Sequence, residues 1–272
     1  MKISNALKTE FKIHRKSSLV KFILIITFSF SILFGFIIFH SSSFTGPLSF
    51  LSLMKGFENG FNFSISLNYS IFNILIFFII ITASTAVSDE AQKGTLKTVL
   101  VKRLKRKELI IGKSFFLLIF FFALLVIISL LSLAVGGALF GFSDISEKNY
   151  IIHSNFSLFI NYFFSLFLMI FPISALINLC LFLSVLFNNN LLPLMSSLGI
   201  NFLFYVFTEL DFHKYFFLTN YILFPLKTFK KMAQGLPLIW SPGVECMLLT
   251  TFLYSAGFLI LAIVFFKRKE IL

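Results

Sequence analysis

The sequence predicts an all-α polytopic membrane protein: six transmembrane helices, an N-terminal interfacial helix, a short cytoplasmic helix after the second span and short outer helices before the sixth. Three observations predict it. First, 58% of the 272 residues are hydrophobic, only 12% are charged, and the mean hydropathy is +0.97, which leaves too few charges to cover a soluble domain of this size. Second, the apolar residues fall in six long blocks, and a helix needs about 20 such residues to cross the hydrocarbon layer. Third, the basic residues flank the blocks on alternate sides, which is how orientation is encoded in membrane proteins. The whole of 1–272 reads as one transmembrane domain, with no room for a soluble catalytic unit.

Residues 3–16 come first. Ile3, Leu7 and Phe11 share one helical face, while Lys8, Lys12, Arg15 and Lys16 occupy the others, the pattern of a helix lying flat on a membrane surface. The first span covers about 19–39; it is too long for a signal peptide and no small-residue cleavage site follows it. A polar, Ser-, Asn- and Gly-containing loop is expected over 41–68, then the second span over 69–87. The most charged stretch of the chain, 88–113, precedes a third span at 114–140. The fourth, 156–187, is overlong and carries Pro172 near its middle, where a kink is expected. Asn188, Asn189 and Asn190 form a turn into the fifth span, 191–207. Residues 215–226 are apolar but only about half a span long, so a re-entrant or interfacial outer helix is expected before the sixth span at 243–266.

Seventeen of the 23 Lys and Arg residues lie in the N-terminal segment, the 88–113 connection and the C-terminal tail; the remaining six lie in the opposite loops. This asymmetry places both termini on the cytoplasmic side of a bacterial plasma membrane. It also accounts for the net charge of +12 as an orientation signal, with no nucleic-acid partner implied. Cys180 and Cys246 sit within or beside spans and form no disulfide framework. The 42 Phe residues are read as the product of an AT-rich genome.

No catalytic constellation is visible. His14, His40, His153 and His213 lie in separate segments without metal-ligand spacing, so neither a metal nor a directly bound cofactor is expected. Gly112-Lys113-Ser114 resembles the end of a phosphate-binding loop, but Lys107 stands where that motif needs glycine and no strand precedes it. The chain therefore carries no ATPase motif of its own and is not an enzyme. Asn73, Asn178 and Asn201 are the polar side chains expected inside spans, as helix-packing or path-lining groups. Glu209, Asp211 and Glu245 fall near outer span ends, as solvated residues or an acidic outer rim. Gly137 and Gly141 make a weak small-residue packing pair.

The informative stretch begins at the acidic pair Asp89-Glu90. Gly94, Thr95 and Leu96 open a helical pattern with Thr95 placed to cap it, and Leu96, Val99, Leu100 and Leu104 form an apolar stripe ahead of the basic cluster 102–107. A short amphipathic helix of this kind suits a groove on a cytoplasmic partner. With Glu90, Gly94-Thr95-Leu96, Leu100, Arg106 and Gly112-Lys113 the segment resembles the permease subunits of type-2 ATP-binding-cassette (ABC-2) transporters, although it lacks a proline before the basic patch and has Lys97 where glutamate is common. The layout of the whole chain resembles that family too.

The resemblance implies a half-transporter. A coupling helix at about 92–104 would dock on a separate cytoplasmic ABC ATPase subunit, which holds the ATP and Mg. Glu90, Gly94, Thr95, Leu96, Val99, Leu100, Leu104 and Arg106 would carry that coupling, and a second permease subunit, a copy or a paralogue, would complete the path within the membrane lipids. Export of a hydrophobic or amphipathic cargo, such as an antimicrobial peptide or drug in self-immunity, is the leading expectation. A membrane anchor or sensor for a cytoplasmic partner, and a secondary carrier, are the alternatives.

Overall fold

The computed structural model describes residues 59–94, 106–147, 150–209, 216–237 and 239–269, together with Ile25 and Ser29, both helical. The interfacial helix at 3–16 and nearly all of the first span at 19–39 lie outside the described residues. Five helical stretches among the described residues are long and apolar enough to cross a membrane: Gly60–Gln92, Arg106–Phe140, Asn155–Leu186, Leu191–Thr208 and Gly243–Arg268. They correspond in order to the second to sixth expected spans.

Helix α1 (Gly60–Thr85) runs into a short α2 (Ser88–Gln92); α3 (Arg106–Phe140) returns. Strands β1 (Ile145–Glu147) and β2 (Tyr150–His153) form an antiparallel hairpin, followed by α4 (Asn155–Leu168) and α5 (Ile170–Leu186). Then come α6 (Leu191–Glu209), the short α7 (Leu218–Ile222) and α8 (Phe224–Ala233), and α9 (Gly243–Arg268). The end of the bundle that carries the 88–113 connection is termed basal, and the opposite end distal.

Helix α5 is the hub. It packs on α9, α1, α3, α6 and α7, and its sequence is apolar on every face, as a fully enclosed helix requires. Ile173, Leu176, Ile177, Leu179, Cys180 and Leu181 are all buried. In contrast α6 and α9 present Phe202, Leu203, Leu249, Phe252, Leu253 and Ile260 outward, an apolar surface that only a bilayer or another protein can cover.

Several expectations are corrected. Residues 60–68, expected in a loop, are helical, so α1 begins nine residues before the expected span. The polar groups that made this stretch look like a loop are satisfied inside the bundle. Ser64 Oγ donates to the carbonyls of Gly60 (2.6 Å) and Ser132 (2.9 Å). Asn68 Nδ2 donates to Tyr162 Oη (2.7 Å), and Ser132 Oγ donates to Asn68 Oδ1 (2.9 Å). The third span likewise starts early, at Arg106, and Arg106 and Lys113 in its first turns find partners within the protein. The fold is not wholly helical either: the β1–β2 hairpin occupies the short distal loop. The overlong fourth span is two helices, interrupted at Met169, with Pro172 in the first turn of α5 where a missing N–H costs least.

The small-residue contact also differs from expectation. It is Gly60 and Gly136, not Gly137, that bring α1 and α3 together; a Cβ on Gly136 would lie 2.6 Å from the Gly60 carbonyl oxygen and 2.5 Å from Ser64 Oγ. Gly141, at φ +70°, ends α3 and offers its carbonyl to Gly60 N–H at 2.9 Å. Asn59 caps α1 through Oδ1 to Phe61 N–H and donates from Nδ2 to the Ser143 carbonyl.

Before the last span, α8 lays Pro225, Leu226, Phe229 and Met232 against α4 and α1 and leaves Lys227 and Lys231 exposed. This short amphipathic helix answers to the expected outer helix around 215–226, although its larger part lies beyond residue 226.

The Asn68–Tyr162–Ser132 node ties α1, α3 and α4 in the distal half. Tyr162 Oη also donates to the Ser129 carbonyl at 2.9 Å. Replacing Tyr162 with Phe removes that donor and the acceptor for Asn68, which should cost about 1–2 kcal/mol. The thermal midpoint of detergent-solubilised protein should fall, and a wild-type midpoint would show that the node does not hold the helices.

Candidate functional site

The basal connection is where sequence and structure converge. Its apolar stripe, carried by Leu96, Val99, Leu100 and Leu104, lies with Thr95 outside the described residues; both flanks of the stripe are described. On the N-terminal flank, α1 bends into α2 at Ala86–Val87, and the last turn of α5 holds the bend: Ser184 Oγ accepts from Val87 N–H (3.0 Å) and Ser88 N–H (3.1 Å). Asp89 Oδ1 accepts from Asn190 Nδ2 at 3.0 Å, which joins α2 to the α5–α6 turn. Gly94, at φ +69°, closes α2 in the left-handed conformation that glycine adopts at least cost.

Glu90 is the central group of this flank. Its Oε1 lies 2.7 Å from Lys113 Nζ, and the two side chains are 18% and 4% exposed. The acidic residue that opens the motif and the Gly112-Lys113 pair that closes it therefore meet. The pair joins the two described flanks of the 95–105 segment. Lys113 reaches this position because α3 starts at Arg106, so that Lys113 is already two turns inside the helix and faces α2.

On the C-terminal flank, Arg106 Nη1 donates to the carbonyls of Lys269 (2.8 Å), Lys267 (2.9 Å) and Phe266 (3.3 Å). These carbonyls end α9 and lack intrahelical partners, and a cation is favoured at the negative end of the helix dipole. Lys269 Nζ in turn donates to the carbonyls of Val185 (2.6 Å) and Phe187 (3.2 Å), which end α5. Burial pulls the Lys269 ammonium below the ordinary lysine range.

The remaining expected residues are not gathered into one site. Asn178 is a three-helix node: Oδ1 accepts from Ser114 Oγ of α3 (2.6 Å) and Nδ2 donates to Ser255 Oγ of α9 (2.8 Å). Asn73 and Asn201 each donate to their own helix, to the carbonyls of Tyr69 and Ser197. Glu245 lies in the first turn of α9 and accepts from Ser241 Oγ at 2.8 Å. Glu209 closes α6, and Asp211 lies outside the described residues. Distal His153 engages the Leu236 carbonyl through Nε2 (2.9 Å). Sequence reasoning did not single out Ser184, Asn190 or Lys269, since nothing in their local spacing signals a long-range partner.

Among the described residues this end gathers no group of three or more His, Cys, Asp or Glu that could hold a metal ion; its polar contacts tie α2 and the start of α3 to the ends of α5 and α9. No curated protein matches the chain. The profile of the family described as ABC-2 family transporter protein matches residues 6–209, which takes in the α1–α3 connection and everything to the end of α6, and the chain belongs to that family of transporter membrane components.

Proposed function

We propose that this permease component is half of an ATP-driven exporter. Six spans with both termini in the cytoplasm place the basal end inside the cell, a separate ABC ATPase docks on the 92–104 helix there, and a second permease subunit, a copy or a paralogue, completes the path. The ATPase holds ATP and Mg, and Leu96, Val99, Leu100 and Leu104 enter its groove. The cargo is hydrophobic or amphipathic, an antimicrobial peptide or a drug, moved out of the cytoplasm or inner leaflet; self-immunity is the role such cargo suggests.

The observation that supports this reading most is the buried ion pair that joins the two flanks of the docking segment. A solvated connection that served only to fix orientation would need no buried ion pair at its base, because burying two charges costs more than leaving them in water unless geometry repays it. A loop that receives force needs a stiff base. Here Glu90–Lys113 closes that base, and Ser184, Asn190 and Arg106 fasten it to α5, the α5–α6 turn and α9.

Replacing Leu96 and Leu100 together with Asp should abolish capture of the ATPase from membranes that co-express both, while the permease still inserts and melts as wild type. Undiminished capture would overturn the assignment of the docking helix. Transport that survives ATP depletion and collapses with the ion gradient would overturn the ATP-driven reading in favour of a secondary carrier.

A further inference from the structure

We propose that the end of the last span, Phe266–Lys269, is a second mechanical arm of the coupling loop, with Arg106 and Lys269 as its positioning residues. This deepens the docking-loop reading and rests on it.

Two helix ends are capped in series by cations that come from elsewhere in the chain. Arg106, the first described residue after the docking segment, binds three carbonyls at the end of α9. Lys269, one residue past that helix, binds two carbonyls at the end of α5. Charge-assisted bonds to carbonyls without other helical partners are among the stronger polar contacts a protein makes, and one guanidinium nitrogen, Nη1, meets all three carbonyls here. The linkage thus runs from the docking segment to Arg106, to the α9 terminus, to Lys269 and to the α5 terminus. Helix α5 is the hub on which every other long helix packs. A displacement of the loop along Arg106 therefore moves the hub directly, in addition to whatever it does through α1 and α3.

The same geometry reassigns Arg106. The sequence motif offered it as a contact for the ATPase, but its guanidinium is engaged with its own chain. Its neighbours at this end, Lys107, Lys267 and Arg268, are exposed and remain available to a partner.

The test uses the complex of permease and ATPase reconstituted in vesicles. Arg106→Gln and Lys269→Gln should each retain ATPase capture while cargo-stimulated hydrolysis and transport fall about tenfold, the scale of coupling lost when one link of a network is cut. Because the links act in series, the double variant should be no worse than either single one. Arg106→Lys should recover part of the loss. Loss of ATPase capture in Arg106→Gln would make Arg106 a partner contact and overturn the proposal, as would unaltered transport or additive losses in the double variant. Thermal unfolding guards against misfolding: Arg106→Gln and Lys269→Gln should remain folded in detergent, with cooperative melts, while transport falls. Variants that keep both a cooperative melt and wild-type transport would also overturn it. Each of these outcomes concerns Arg106 and Lys269 alone, whereas failure of the docking assignment shows as undiminished ATPase capture in the Leu96 and Leu100 variants.

Discussion

Replacing Glu90 with Leu is expected to lower stability by about 3–5 kcal/mol, the cost of removing one partner from a buried ion pair. The Lys113 side chain is only 4% exposed, so its charge loses a carboxylate that offsets its desolvation. Replacing Lys113 with Met should cost less, because Glu90 at 18% exposure retains some contact with solvent. Glu90→Gln should fall between wild type and Leu, since an amide oxygen still accepts from the ammonium but supplies no charge. The double replacement, Glu90→Leu with Lys113→Met, should recover most of the loss, because neither charge is then buried. Thermal unfolding of wild type, the two single variants and the double variant in one detergent forms a double-mutant cycle, and a coupling energy near zero would show that the pair does not close the loop.

The same pair shows what could be read from the sequence and what could not. Glu90 and Gly112-Lys113 were recognisable as parts of one motif because their types and order are those of a family, yet spacing alone does not say that residues 23 apart are ion-paired. That contact depends on α3 starting at Arg106, where a high local charge argued for a loop. Composition misled for a physical reason: Lys, Arg, Ser and Asn mark loops only when water satisfies them, and here α9, α5 and Tyr162 do so instead. The error at 60–68 has the same origin. The apolar blocks of the last three spans, by contrast, were legible nearly to the residue, because crossing hydrocarbon leaves few alternatives. Asn178 was marked as a path-lining or helix-packing group, and its partners Ser114 and Ser255 were invisible because a serine in an apolar run carries no periodic signal. The hairpin at Ile145–His153 was missed because two strands of three and four residues fall below any period that can be counted.

The second large effect belongs to Gly136. A methyl group there has no free volume to enter: at 2.6 Å from a carbonyl oxygen and 2.5 Å from a serine hydroxyl, it would displace backbone and not merely rotate a side chain. Gly60 is equally constrained, since a Cβ on it would lie 2.7 Å from the carbonyl oxygens of both Gly136 and Gly141. The crossing is thus closed from both sides, and it must open for either substitution. Opening it breaks Ser64 Oγ to the Ser132 carbonyl and Gly60 N–H to the Gly141 carbonyl, both of which need close backbones. Between helices in lipid, where no hydrophobic force draws them together, such close packing is itself the attraction. Gly136→Ala should therefore cost about 1–3 kcal/mol, the range for overpacking a tight contact, and Gly136→Leu should exceed it and prevent recovery of folded protein from the membrane. Gly199 is the matched control: a Cβ at this α6 position meets nothing within 4 Å, so Gly199→Ala should be neutral or slightly stabilising. A Gly136→Ala protein that melts with the wild type would mean that α1 and α3 do not cross as closely as the structure shows. Because the α1–α3 crossing also sets the tilt of both helices into the Glu90–Lys113 base, a folded Gly136→Ala protein should lose transport while still capturing the ATPase.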